Sequence, residues 1–123
     1  MPIPASDLMF LNKKVLPYFR LRRVDIAESD YKGKWPDLWV DTSRTPPIIV
    51  VTREWRRQSV GERRKRLVHE VLHLAGLEHP ENGGTKIGGL VYHTRPVKDT
   101  FSRLVYQYIL AGNIRWRPKE FGL

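Results

Sequence analysis

His69-Glu70-Val71-Leu72-His73-Leu74-Ala75-Gly76-Leu77-Glu78-His79 is the stretch on which the reading of this chain turns. On an α-helix, His69 and His73 stand one turn apart on one face, so both imidazoles reach a single cation at about 2.0–2.1 Å. Leu67, Val71, Leu74 and Ala75 fall on an arc centred about 160° away on a wheel of about 100° per residue, a side the helix can bury. Glu70 lies beside the histidine face, where a carboxylate can take a proton from a water whose pKa a metal lowers to about 7. Gly76 accepts positive φ, which lets the chain reverse and bring His79 under the ion. Three imidazoles with one open position make a catalytic rather than a structural zinc site. The chain has only four histidines, and three of them lie in this window.

Upstream, Ser59-Val60-Gly61-Glu62 has the form of a capping box and predicts a helix from there to about Ala75, stopped by Gly76. Pro46-Pro47 leads into Ile48-Ile49-Val50-Val51, a β-branched run that predicts a strand. Leu21 to Ile26 alternates loosely and predicts another, and a third holds Leu38 and Val40 after the Gly33 and Pro36 punctuation. Ser6 is placed to cap a first helix to about Tyr18, with Leu8, Leu11, Val15 and Tyr18 on one stripe and Pro17 ending or bending it. Downstream, 80–91 carries two glycine pairs and reads as an irregular loop or small hairpin. A last helix is expected from about Pro96 to Ala111, facing Val97, Phe101, Leu104, Val105, Tyr108 and Ile109 inward and ending at Gly112. A basic, aromatic tail follows over 113–123. This succession predicts one α+β domain over 1–123, a small mixed β-sheet packed on the histidine-bearing helix and a C-terminal helix.

The 123 residues suffice for one core and no more. At 41% hydrophobic and 28% charged, the chain is too apolar for disorder. No apolar run approaches the roughly 20 residues that cross a bilayer, and the first residues lack the pattern of a signal peptide. Cysteine is absent, which excludes disulfides, thiolate ligands and iron–sulfur clusters; a reducing cytoplasm is the expected location, with no membrane partner. Lys and Arg number 22 against 13 acidic residues, and the net charge of +9 favours polyanions or acidic protein surfaces. Arg53, Arg56, Arg57, Arg63, Arg64, Lys65 and Arg66 crowd the start of the key helix. The four on its early turns oppose its dipole by a few tenths of a kcal/mol each. They read either as a solvated face or as a docking surface for nucleic acid or an acidic partner, with Trp55 and Trp116 available for stacking. Exposed sheet edges leave homo-oligomerisation open.

Residues 69–79 resemble the H-E-x-x-H-x-x-G-x-x-H motif of the metzincin clan of zinc metallopeptidases. The resemblance implies a zincin-like fold, one catalytic Zn2+ on His69, His73 and His79, and Glu70 as general base. It also implies that Ile48, Ile49, Val50 and Val51 pair with an extended substrate. The clan's methionine turn is missing, since the only methionines are Met1 and Met9, and Gly88 to Tyr92 stand in the equivalent place. The chain is therefore closer to the minimal, minigluzincin-like zincins. His73 to His79 is also similar to the H-G-x-L-H-L-x-G-Y-D-H motif of the bacterial endoribonucleases that mature ribosomal RNA, but those have Gly where this chain has Glu70. SprT-like, DNA-associated proteases take a third histidine from further downstream, where His93 stands, and Asp99 would suit gluzincin-like ligation by a carboxylate. Tyr92, Tyr106 and Tyr108 are candidates to stabilise an oxyanion, Tyr92 before the others. The expected function is a zinc-dependent metallopeptidase hydrolysing a peptide or protein substrate, with a metal-dependent endoribonuclease or a SprT-like protease as the alternatives. The tail from Arg115 is expected to fold across the cleft and hold the enzyme latent.

Overall fold

The computed structural model describes residues 3–75, 77–78, 85–87, 90–92, 95–117 and 119, with the backbone placed over 77–78, 85–87, 90–92 and 95–101. The first helical stretch runs as α1 (Ala5–Phe10), a wide π turn (Leu11–Val15) and α2 (Leu16–Phe19). Ser6 is not its cap: the helix starts one residue earlier, behind Pro4, with no side-chain cap. Pro17 does not end it either. Its ring follows the π turn, a place where the ladder has already shifted register and a missing N–H is tolerated. Leu11, Val15 and Tyr18 are buried as their spacing predicts, and Phe10, Leu16 and Phe19 join them.

β1 (Asp25–Glu28), β2 (Leu38–Asp41) and β3 (Ile48–Val51) form a mixed sheet in the order β1-β3-β2. β3 lies in the middle, parallel to β1 (Asp25 opposite Ile48) and antiparallel to β2 (Leu38 opposite Val51). Its β-branched residues suit that place, and Ile49 and Val51 are fully buried on the core side. The first strand begins later than Leu21. Leu21 is still tied to the helix end, its N–H donating to the Leu16 carbonyl at 2.9 Å, and ordered extension starts where Asp25 N donates to the Pro47 carbonyl at 2.9 Å.

Thr52 turns the chain from β3 into α3 (Arg53–Arg56): its hydroxyl donates to the Asp37 carbonyl at 2.7 Å and accepts from Trp55 N. Trp55 is wholly buried, and its indole N–H donates to the Arg63 carbonyl at 3.1 Å. α4 (Val60–Leu74) follows, capped by the Ser59 hydroxyl, which accepts from Glu62 N at 3.3 Å. This helix is the centre of the molecule, touching α1, the π turn, β2 and α5 (Arg95–Leu110). That position explains a difference from the predicted amphipathic wheel. Val68 and Leu72 are buried along with Leu67 and Val71, while Ala75 is exposed.

Between α4 and α5, β4 (Leu77–Glu78), β5 (Thr85–Ile87) and β6 (Leu90–Tyr92) form a small antiparallel sheet in that order. On α5, Ser102, Val105 and Ile109 are buried at helical spacing. Leu104, expected inside, is 42% exposed because it lies on the flank of that stripe. Gly112 closes the helix at φ 92, as its place in the sequence predicts. The chain then returns across α2: Trp116 N donates to the Tyr18 carbonyl at 2.7 Å, and its ring lies 5.2 Å from that of Phe19. Through Trp116 the tail therefore packs on the first helical stretch. No helix among the described residues is long and apolar enough to cross a membrane.

Candidate metal centre

The last two turns of α4 bring His69, Glu70 and His73 together, with one ligand atom from each inside a 4.8 Å span. Both histidines are half-buried and Glu70 is 8% exposed, so the cluster sits at the edge of the core with restricted access to water. The imidazole planes stand at 86° with centroids 4.7 Å apart. Their Nε2 atoms face each other at 3.2 Å. Two nitrogens on one tetrahedral ion, at bond lengths of about 2.0–2.1 Å, stand about 3.3–3.4 Å apart. The two nitrogens therefore stand close to the separation of two ligands on a single cation. This triad on α4 can hold a metal ion.

A neighbour that the motif does not contain completes the surroundings. Ser102, 2% exposed on α5, places its Oγ 2.9 Å from His69 Nδ1. The signal for it in the sequence was a hydroxyl at the i−3 and i−7 positions from Val105 and Ile109, a polar residue on an apolar stripe. α5 runs antiparallel to α4. Near one end Tyr106 packs edge-on against Phe10 at 5.6 Å, whose ring lies 5.2 Å from the Arg64 guanidinium; Ser102, a turn earlier on α5, meets His69, a turn and a half later on α4. Tyr106 is thus committed to packing on Phe10. Asp99 occupies an α5 position one turn before Ser102, at helical spacing from it. His79 and His93 lie outside the described residues, as do the side chains of Tyr92 and Asp99.

Two expectations are corrected. Ile48, Ile49, Val50 and Val51 cannot pair with a substrate strand, because β1 and β2 already take both edges of β3. Among the described residues the unpaired edges of this sheet belong to β1 and β2. The α4 part of the basic cluster is, likewise, not a uniformly solvated face, while Arg53 and Arg57 before it are exposed. Asp7, wholly buried in the first turn of α1, accepts from Arg63 Nε at 2.7 Å and Arg64 Nε at 3.2 Å. Asp37, 2% exposed, accepts from Arg66 Nη1 at 3.2 Å and from Gln58 Nε2 at 2.8 Å. Lys65 pairs with Glu62 at 3.0 Å. The charges that oppose the α4 dipole are held by carboxylates delivered from α1, the β2 approach and α4 itself, and this anchors the helix that carries the cluster. No family model, curated protein or solved structure matches the chain.

Proposed function

We propose that the protein is a zinc-dependent metallopeptidase in which His69 and His73 hold one ion and Glu70 is the general base. The observation that carries this is the joint placement of two imidazole nitrogens at 3.2 Å and a buried carboxylate inside the same 4.8 Å span. Imidazole donors at tetrahedral spacing suit zinc. When bound, the ion would acidify water and polarise the scissile carbonyl. Glu70 accepts the proton of the attacking water and later delivers it to the leaving amine, two transfers that need a carboxylate at one fixed place between water and substrate. Its low exposure keeps bulk water from competing for that proton. Tyr92 is the proposed donor to the developing oxyanion.

His79 is the proposed third ligand, with His93 and Asp99 as the alternatives. An extended peptide would add to an open edge at β1 or β2. The peptidase is favoured over a ribonuclease or a DNA-directed protease by the inward use of Arg63, Arg64 and Arg66, which withdraws them from any polyanion surface.

Elemental analysis of purified protein should find about one zinc per chain. Unfolded casein should be cleaved, and a chelator should abolish cleavage. Glu70→Gln should retain the metal and the fold yet lose about 10²–10⁴-fold in rate. Cleavage by that variant at the parent rate would overturn the assignment, as would RNA cleavage that is sensitive to chelator while casein stays intact.

A further inference from the structure

We infer that Ser102 is a positioning residue that selects the tautomer of His69 and so presents its Nε2 as a bare lone pair to the cation; this rests on the metal-centre reading above. An imidazole ring offers two nitrogens, and only one without a proton can ligate. Which one is bare depends on what the other nitrogen touches. Here His69 Nδ1 faces Ser102 Oγ at 2.9 Å, while Nε2 faces the second imidazole at 3.2 Å. A hydroxyl has two lone pairs and one rotatable proton, so it can take either role towards Nδ1; accepting from Nδ1–H is the role compatible with an ion at Nε2, and it is the one assigned here. With the proton on Nδ1, Nε2 is left for the ion. With the proton on Nε2, that hydrogen would point into the space the ion requires.

Ser102 is 2% exposed, so water does not substitute for it at Nδ1. It also comes from α5, thirty-three residues downstream of His69. The cluster is therefore set by two helices: α4 supplies the donors, and α5 fixes the ring of the first one. α5 packs on α4, and Val105 and Ile109, buried on the stripe that carries Ser102, anchor α5 in the core, which couples core packing to metal affinity.

Two measurements test this. The first uses the metal-free full chain at about two pH units above the ordinary imidazole pKa of about 6.5. Nitrogen-15 NMR of the ring should show His69 with its proton on Nδ1, and Ser102→Ala should shift it towards Nε2. The second titrates zinc at one fixed pH. Ser102→Ala should bind about 10–100-fold more weakly, and Ser102→Thr, which keeps the hydroxyl, should recover most of that loss. A parent chain with the His69 proton on Nε2, or a Ser102→Ala variant that holds zinc as tightly as the parent, would overturn the inference. Because the NMR result needs no metal, a chain that shows the Nδ1 tautomer but takes up no zinc would sink the peptidase proposal and leave the role of Ser102 in place.

Discussion

Arg20 and Gly112 end their helices in the same way, and only one of the two ends could be read in advance. After α2, Leu21 N donates to the Leu16 carbonyl at 2.9 Å and Arg20 N to that of Pro17 at 3.0 Å. After α5, Asn113 N donates to the Tyr108 carbonyl at 3.2 Å and Gly112 N to that of Ile109 at 3.1 Å. Both are six-to-one and five-to-two closures that need a left-handed residue at the same place. Glycine takes that conformation without penalty, so Gly112 announces its role. Arg20 sits there at φ 57, and nothing about an arginine signals it. A side chain held in that region costs about 1–2 kcal/mol, against about 0.5–1 kcal/mol of extra chain entropy that glycine loses on folding. Arg20 is exposed. Arg20→Gly should therefore stabilise the protein, by up to about 1 kcal/mol, and urea unfolding of the two chains is the check. A variant less stable than the parent would mean that the arginine side chain makes a contact worth more than its backbone strain.

At the scale of elements, the histidine-bearing helix is legible in the sequence and its supports are not. Ser59 at its start, His69 and His73 on one turn, and β3 over Ile48–Val51 each follow from local rules of capping, helical spacing and β-branching. What anchors α4 is non-local. Asp7 lies 56 residues from Arg63, and Asp37 lies 29 from Arg66, so neither pairing leaves a trace in any short window. For the same reason the sequence does not show that the α4 arginines are paired inward, nor that β1 and β2 occupy both sides of β3. Asp7 is the most informative residue to change. Asp7→Asn keeps the volume but removes the charge that two half-buried guanidinium groups share, leaving Arg63 and Arg64 beside each other without their common partner. Breaking a buried pair from one side costs about 3–5 kcal/mol; the partial exposure of both arginines puts the expected loss near the lower figure, about 3 kcal/mol. Chemical denaturation should show that loss with the metal absent, which separates an anchoring role from any effect on the ion.

The whole molecule is closed by its own C-terminal segment. α5 carries Ser102 at its middle and Leu110 at its end, eight residues and about 12 Å further on. Beyond Gly112 the chain turns back, and Trp116 sets its ring 6.2 Å from Tyr18 and 5.2 Å from Phe19 while its N–H donates to the Tyr18 carbonyl. This joins the last described stretch to the first helical one, at the end of α5 away from the histidines. A strap in that place ties the end of α5 to α2. Trp116 is half-buried, and the cost of truncating a fully buried Trp to Ala is about 3–5 kcal/mol, so Trp116→Ala should lose about 2 kcal/mol. In a marginally stable domain of this size that loss lowers the melting temperature by several degrees. Cleavage per zinc-loaded molecule, measured well below the melting point, should be unchanged, because nothing within reach of Glu70 has moved. The opposite pattern, an unaltered melting temperature with faster cleavage, would restore latency as the function of the tail and refute its role as a strap.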